Sequence, residues 1–337
     1  MNETSPFGCD SILNPSLVKP SKNIAAQWFQ ASEASGDFMG IRYGRKAADS
    51  EEVKWSFVSH CECDGIGGFV RLLRESGAAI SELPTTNYPN RGIIRPLWNL
   101  WRKKPYTGAT AERAGWCLSP QQAQHGTNKP EVFAYHLFTE EETSAIRQNC
   151  RQQKTTVNSF LLKQLDQAVR PDIKKSTAAI PWMIPVNLRG DLNYDDTTEN
   201  HVSCVQPVIA ANDSAEDIQQ QIYNCLKRGE HRANYLMLCV GKLMSHQTKM
   251  RWIAKMRRKP KGNIGAFSNL GVWDSEKTIE TKDSWFFCPP VCTGQLLGAG
   301  CVTFQNQFSL TIQAHSALSD HPEIANNWMN RWVSGIL

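Results

Sequence analysis

The sequence predicts an α/β (α+β) protein of two lobes, with mixed sheets and flanking helices. Three observations carry this expectation. The chain has 337 residues, enough for one large domain or two of ordinary size. Strand-like alternation and helix-like spacing follow one another along most of its length. Between two patterned halves, residues 82–128 are broken up by Pro, Gly and Asn. The expected division is a first lobe over 1–128 and a second over 129–337.

Taken in order, residues 1–22 are rich in Ser, Pro and Asn and read as an ordered coil or a loose tail. "IAAQWFQASEAS" reads as a short helix. "FMGIRYGRK" and "EEVKWSFVSHCE" alternate like paired strands, with "AADS" as the turn. "IGGFVRLLRESGAA" has helical spacing from Ile66, and Gly77 is its expected stop. The second half opens with a strand at "EVFAYHLF" and a helix capped at Thr139, acidic in its first turn. "VNSFLLKQLDQAV" is an amphipathic helix. "AAIPWMIPVNL" and "HVSCVQPVIA" are strands interrupted by proline, expected at an edge or bulge. Asp213 or Ser214 caps the next helix, and a further helical stretch runs to about Lys255. "GQLLGAGCVTFQNQFSLTIQAHS" reads as a hairpin turning at Asn306–Gln307, and a terminal helix ends the chain.

Composition narrows the function classes. Apolar residues make up 41% and charged residues 20%, a globular balance. No run approaches the roughly 18 apolar residues of a spanning helix. The first residues lack the basic and apolar regions of a secretory signal, so a cytoplasmic location is expected. The 11 cysteines are odd in number and match no paired zinc spacing, which favours reduced, buried thiols. The net charge of +5 suits an anionic small partner without indicating nucleic acid.

Two surface segments are ambiguous. The basic run at 249–263, with Arg251, Arg257, Arg258 and Lys259, reads as a solvated helix end. The alternative is a surface for a phosphate-bearing cofactor or an acidic carrier protein. Leu97, Trp98, Leu100 and Trp101 beside three cations suit either a packed short helix or a peripheral membrane contact.

The stretch "WSFVSHCECDGIGGFVRLL" holds the most specific chemistry. An apolar strand pattern ends at His60, then come Cys-Glu-Cys, Asp64 and a glycine-rich helix start. Gly65, Gly67 and Gly68 permit a tight turn with close backbone approach. An imidazole held through one nitrogen can present the other as a general base near neutral pH. The turn can bring the Asp64 carboxylate under the imidazole or out to a neighbouring cation. "HCEC" also contains metal-competent groups, and Cys61 or Cys63 is a conceivable nucleophile. Alternation along an extended strand would aim these side chains apart.

With these residues in place, the chain resembles the chloramphenicol-acetyltransferase-like superfamily, whose signature is HxxxDG, here "HCECDG". That superfamily includes condensation domains, wax ester synthases and alcohol acetyltransferases. "IPVNLRGDLNYDDTTENHVSCV", "GNIGAFSNLGVW", "GAGCVTFQNQFSLTIQAHSALSD" and "TTVNSFLLKQLDQAV" resemble further segments of the alcohol acyltransferase branch, and the match covers roughly 50–337. The resemblance implies two lobes with a tunnel between them and His60 at its midpoint. His60 would take the proton from a hydroxyl or amine acceptor, which then attacks a thioester on coenzyme A or an acyl carrier protein. No bound cofactor or metal is implied. Asp64 would hold the loop by pairing with an arginine, for which Arg189 in "PVNLR" is the candidate, and Gly65 would let the loop pass near the thioester. Ser268 and Asn269 are candidate oxyanion donors, although Asn269 equally suits stabilising its own turn.

The chain also departs from the pattern. Only 59 residues precede His60, so a reduced first lobe is expected. Ser59 stands where condensation domains carry a second histidine, and their "DFGWG" element is absent. This favours a free-standing acyltransferase. The alternative is a non-catalytic homologue that binds an acyl chain or a protein.

Overall fold

The first hairpin shows how local pattern becomes architecture. In the computed structural model, which describes residues 23–37, 39–80, 82–86, 88, 98, 115–117, 132–174, 178–192, 197–257, 264–273, 283–292, 294–316, 318, 321 and 323–337, α1 (Ile24–Glu33) precedes β1 (Gly40–Lys46) and β2 (Val53–Ser59). The two strands pair antiparallel, Gly40 opposite Ser59. The chain turns through 60–62 and enters α2 (Gly65–Glu75), whose first turn is capped by Asp64. That helix ends at Ser76, followed by Gly77 at φ 92°.

The second half follows the expected alternation, with additional short strands. β3 (Gly115–Trp116) and β4 (Val132–Leu137) lead to α3 (Glu140–Gln152), which begins in a capping box between Thr139 and Glu142. Thr156 caps α4 (Val157–Val169). β5 (Ile173–Lys174), β6 (Ile180–Pro181) and β7 (Ile184–Asn187) precede a single helical turn, α5 (Arg189–Leu192). β8 (Val202–Val205) and β9 (Val208–Ile209) pair back onto β7 and β6. Each predicted strand is thus split in two: Pro207 stands in the break of the second, whereas Pro181 and Pro185 lie within β6 and β7. Ser214, not Asp213, caps α6 (Ala215–Lys227); it is followed by α7 (Glu230–Val240) and α8 (His246–Arg257). β10 (Ala266–Trp273), β11 (Ser284–Cys288), β12 (Leu297–Phe304), β13 (Gln307–Ala314) and α9 (Glu323–Ile336) complete the chain. The hairpin turns at Gln305–Asn306, one residue before the predicted position, because both adopt positive φ of 46° and 64°.

The main sheet has the order β10-β12-β13-β4, with β10 parallel to β12 and the other pairs antiparallel. Backbone bonds from Phe267 to Met183 and from Met183 to Gly265 attach the β6–β7 segment to its β10 edge. β11 leaves this sheet and pairs with β1, giving the order β11-β1-β2. The first sheet is thus not built from residues 1–128 alone. A period of two on β13 supports the crossover: Ser309, Thr311 and Gln313 donate to the carbonyls of Trp285, Phe287 and Pro289. On β12, a Cβ at Gly300 would lie 2.2 Å from the Phe287 carbonyl oxygen, so only glycine permits this approach.

Two hydrophobic cores result. One gathers α3, α4, α9 and the main sheet around Trp182, Trp328 and Trp332. The other packs Phe69 and Leu73 of α2 against Tyr43, Trp273, Trp285 and Phe304. The 60–65 loop lies at the edge of the second core. Among the described residues no helix is long and apolar enough to cross a membrane. Leu97, Leu100, Trp101, Arg258, Lys259 and the Arg257 side chain lie outside the described residues; Trp98 is exposed.

Candidate active site

β2 ends at Ser59, so "HCEC" is a turn and not the extended strand predicted from its pattern. The His60 N–H still bonds the Met39 carbonyl, which anchors the turn to the hairpin. The imidazole is half-buried and stacks on Phe29 of α1, with ring centres 4.1 Å apart. Its Nδ1 lies 2.9 Å from the Cys63 carbonyl oxygen. A carbonyl only accepts, so we assign the proton to Nδ1. The Asn200 amide donates to the His60 carbonyl at 2.8 Å, and its equal distance from Nδ1 is then a contact, not a bond. Nε2 keeps its lone pair and has no hydrogen bond among the described residues. Burial lowers the pKa below 6.5, partly opposed by the Cys63 carbonyl and the Asp64 charge. The ring is therefore neutral at pH 7.

Asp64 does not reach the imidazole; it is committed elsewhere. One carboxylate oxygen accepts from the Gly67 N–H (2.8 Å) and Arg189 Nη2 (3.1 Å). The other accepts from the His201 N–H (2.9 Å) and faces Arg189 Nη1 at 2.9 Å. Arg189 is fully buried, and all five of its N–H groups have acceptors. Besides Asp64, these are the carbonyls of Thr197 and Glu199 and the Asn187 side chain. The arginine thus fastens the 197–201 loop to the start of α2. Gly67 makes the contact possible, since a Cβ there would stand 2.0 Å from the Thr198 carbonyl oxygen.

Beside this lock lies a cleft of about 320 Å³ whose walls include Asp64, Gly65, Arg189, Ser268, Asn269 and Tyr88. His60 is not among its lining residues. Ser268 and Asn269 belong to β10 and not to a turn; the predicted irregularity is a bulge after Asn269, with Gly271 at φ 85°. Asn269 Oδ1 accepts from the Gly271 N–H at 2.8 Å, which stabilises the bulge. The Ser268 hydroxyl has no hydrogen bond among the described residues and is on the cleft wall. Arg251 is exposed on α8, and no residue of that helix lines the cleft.

The cysteines of the turn are inert. Burial pushes both thiols, Cys61 and Cys63, up to about 12, so neither is a thiolate at neutral pH. Among the described residues no three His, Cys, Asp or Glu side chains form a metal-binding group. Sequence reasoning missed Phe29, Asn200 and His201. Asn200 stands two residues before β8, after the "PVNLR" segment, a visible signal; nothing in the spacing links Phe29 to His60.

No protein-family model and no curated protein sequence matches the chain. Solved structures do match its fold. The trichothecene 15-O-acetyltransferase from Fusarium sporotrichioides is 14% identical, covering 94% of this chain and 75% of its own, with a TM-score of 0.56. The first condensation domain of the CDA synthetase is 11% identical, over 83% of this chain and 61% of its own, with a TM-score of 0.50. The wax ester synthase/diacylglycerol acyltransferase from Marinobacter aquaeolei is 14% identical, over 84% and 66%, with a TM-score of 0.47. At these identities the likeness is one of fold: the chain has the chloramphenicol-acetyltransferase-like fold. It spans 61% to 75% of the length of these three.

Proposed function

We propose that the protein is an acyltransferase that moves an acyl group from a thioester, on coenzyme A or an acyl carrier protein, to a hydroxyl or amine. The observation that carries this reading is the His60 ring: Nδ1 is held by a backbone carbonyl, Nε2 has no hydrogen bond among the described residues, and the group is neutral at pH 7. Nε2 takes the proton from the acceptor as its oxygen or nitrogen attacks the thioester carbon. The Ser268 hydroxyl is a donor for the developing oxyanion. Asp64 and Arg189 position the loop and take no proton. Collapse of the tetrahedral intermediate breaks the carbon–sulfur bond and expels the thiolate, which takes up the acceptor's proton from the imidazolium.

A second reading has its own support. Phe29 covers one face of the imidazole, and the cleft is lined by Asp64 and Gly65 without His60. These features suit a protein that binds an acyl chain or another protein without turnover. Thiol release from a panel of acyl-CoAs with alcohol and amine acceptors separates the two. Turnover by the wild type, reduced at least about 100-fold in His60→Ala, is expected for the acyltransferase. A wild type that consumes no thioester supports the binding protein, and undiminished turnover in His60→Ala removes His60 as the base.

A further inference from the structure

Charge is unevenly spread along the chain. Residues 227–263 contain eleven Lys and Arg and one acid, Glu230, a net of +10; the whole chain carries +5, so the remainder is −5. The one acid is buried against Arg228, Arg232 is paired with Asp191 and Lys249 is buried against Gln27, so only part of this charge faces solvent. Lys242, Arg251 and Lys255 are exposed.

The same segment exposes apolar side chains. Leu243 is 91% exposed, Val240 54%, Met237 48% and Trp252 45%. Met237 and Val240 are one turn apart on α7, and Leu243 follows in the turn before α8. Trp28 joins these residues to Trp252: its indole N–H donates to the Leu238 carbonyl, its ring fills the space where Gly241 has no side chain, and its ring packs edge-on against Trp252 at 5.3 Å. Trp28 therefore joins the end of α7 to Trp252 of α8, and Lys242, Arg251 and Lys255 are neighbours in sequence of Val240, Leu243 and Trp252. A solvated basic face would not need an aliphatic side chain left almost wholly in water at its tip.

We propose that this α7–α8 tip docks on an anionic lipid bilayer. Leu243, Val240 and Trp252 enter the headgroup boundary, and Lys242, Arg251 and Lys255 meet lipid phosphates and carboxylates. An acidic protein partner would match the charge but not the exposed aliphatic tip. The proposal is independent of the acyl-transfer reading because the test needs no substrate.

The test is sedimentation of the full chain with phosphatidylcholine vesicles, with or without about one-third phosphatidylserine. The wild type is expected to sediment only with phosphatidylserine present, less so as salt rises. Replacing Lys242, Arg251 and Lys255 together by Gln is expected to weaken binding by about a hundredfold. Leu243→Asp, at a position that supports no packing, is expected to abolish it with an unchanged circular dichroism spectrum. No sedimentation of the wild type with either vesicle overturns the proposal. So does binding that survives Leu243→Asp, which would mark a purely electrostatic surface of the kind an acidic protein uses.

Discussion

The Asp64–Arg189 pair offers the sharpest test of how the candidate site is held. Both side chains are nearly excluded from solvent, and the carboxylate is shared by Arg189, the Gly67 N–H and the His201 N–H. Asp64→Ala leaves the guanidinium buried with two of its five acceptor contacts gone, which costs about 3–5 kcal/mol. Loss of the α2 cap adds about 1 kcal/mol. The sum is a large part of the roughly 5–15 kcal/mol that stabilises an ordinary domain. Arg189→Met should be similarly damaging, since it strands the carboxylate and frees the Thr197 and Glu199 carbonyls. The double variant should be less destabilised than the sum of the two, by about 2 kcal/mol or more, because no uncompensated charge remains. Urea denaturation of the four proteins measures this directly. Single-variant losses below about 1 kcal/mol, or strict additivity, would refute the claim that the pair is a buried, mutually dependent lock.

Two further predictions concern the same region and its titration. Gly67→Ala should destabilise the protein by about 2–3 kcal/mol, because its Cβ meets a backbone carbonyl. Gly65→Ala meets only the ends of Phe287 and Leu270 and should cost less; equal denaturation midpoints would count against this reading. Burial lowers the pKa of His60, His136, His201, His231 and His315. Their contribution is complete above the unfolded value of about 6.5 and is lost as pH falls toward the lower folded values. Asp166 and Glu230, whose carboxyls burial raises, act with the opposite sign, beginning near their ordinary values of about 4. Tm should therefore drop between about pH 7.5 and about pH 5.5, and a constant or rising Tm would contradict it.

Local pattern determined much of the architecture. Thr139 and Thr156 as caps, the β1–β2 hairpin, α2 starting beside Asp64 and the long closing hairpin all follow from rules that act within a few residues. Where the reading slipped, a backbone effect was responsible. Pro207 split one strand, positive φ moved a turn by one residue, and "HCEC" left the strand because the chain had begun to turn at His60.

Tertiary structure alone decided what surrounds the imidazole. Asp64 and Arg189 are 125 residues apart, Asn200 and His60 are 140, and Phe29 reaches His60 from a separate helix. Such contacts depend on the crossover of β11 and the docking of α1, and no periodicity records either. The sequence by itself specified which groups could act and where helices and strands would begin. The residues alone left the Asp64 carboxylate open to the imidazole or a cation; the resemblance pointed to Arg189, and the packed chain makes that contact. A buried guanidinium with five donors needs acceptors drawn from distant segments, and these come within reach only once the chain is folded.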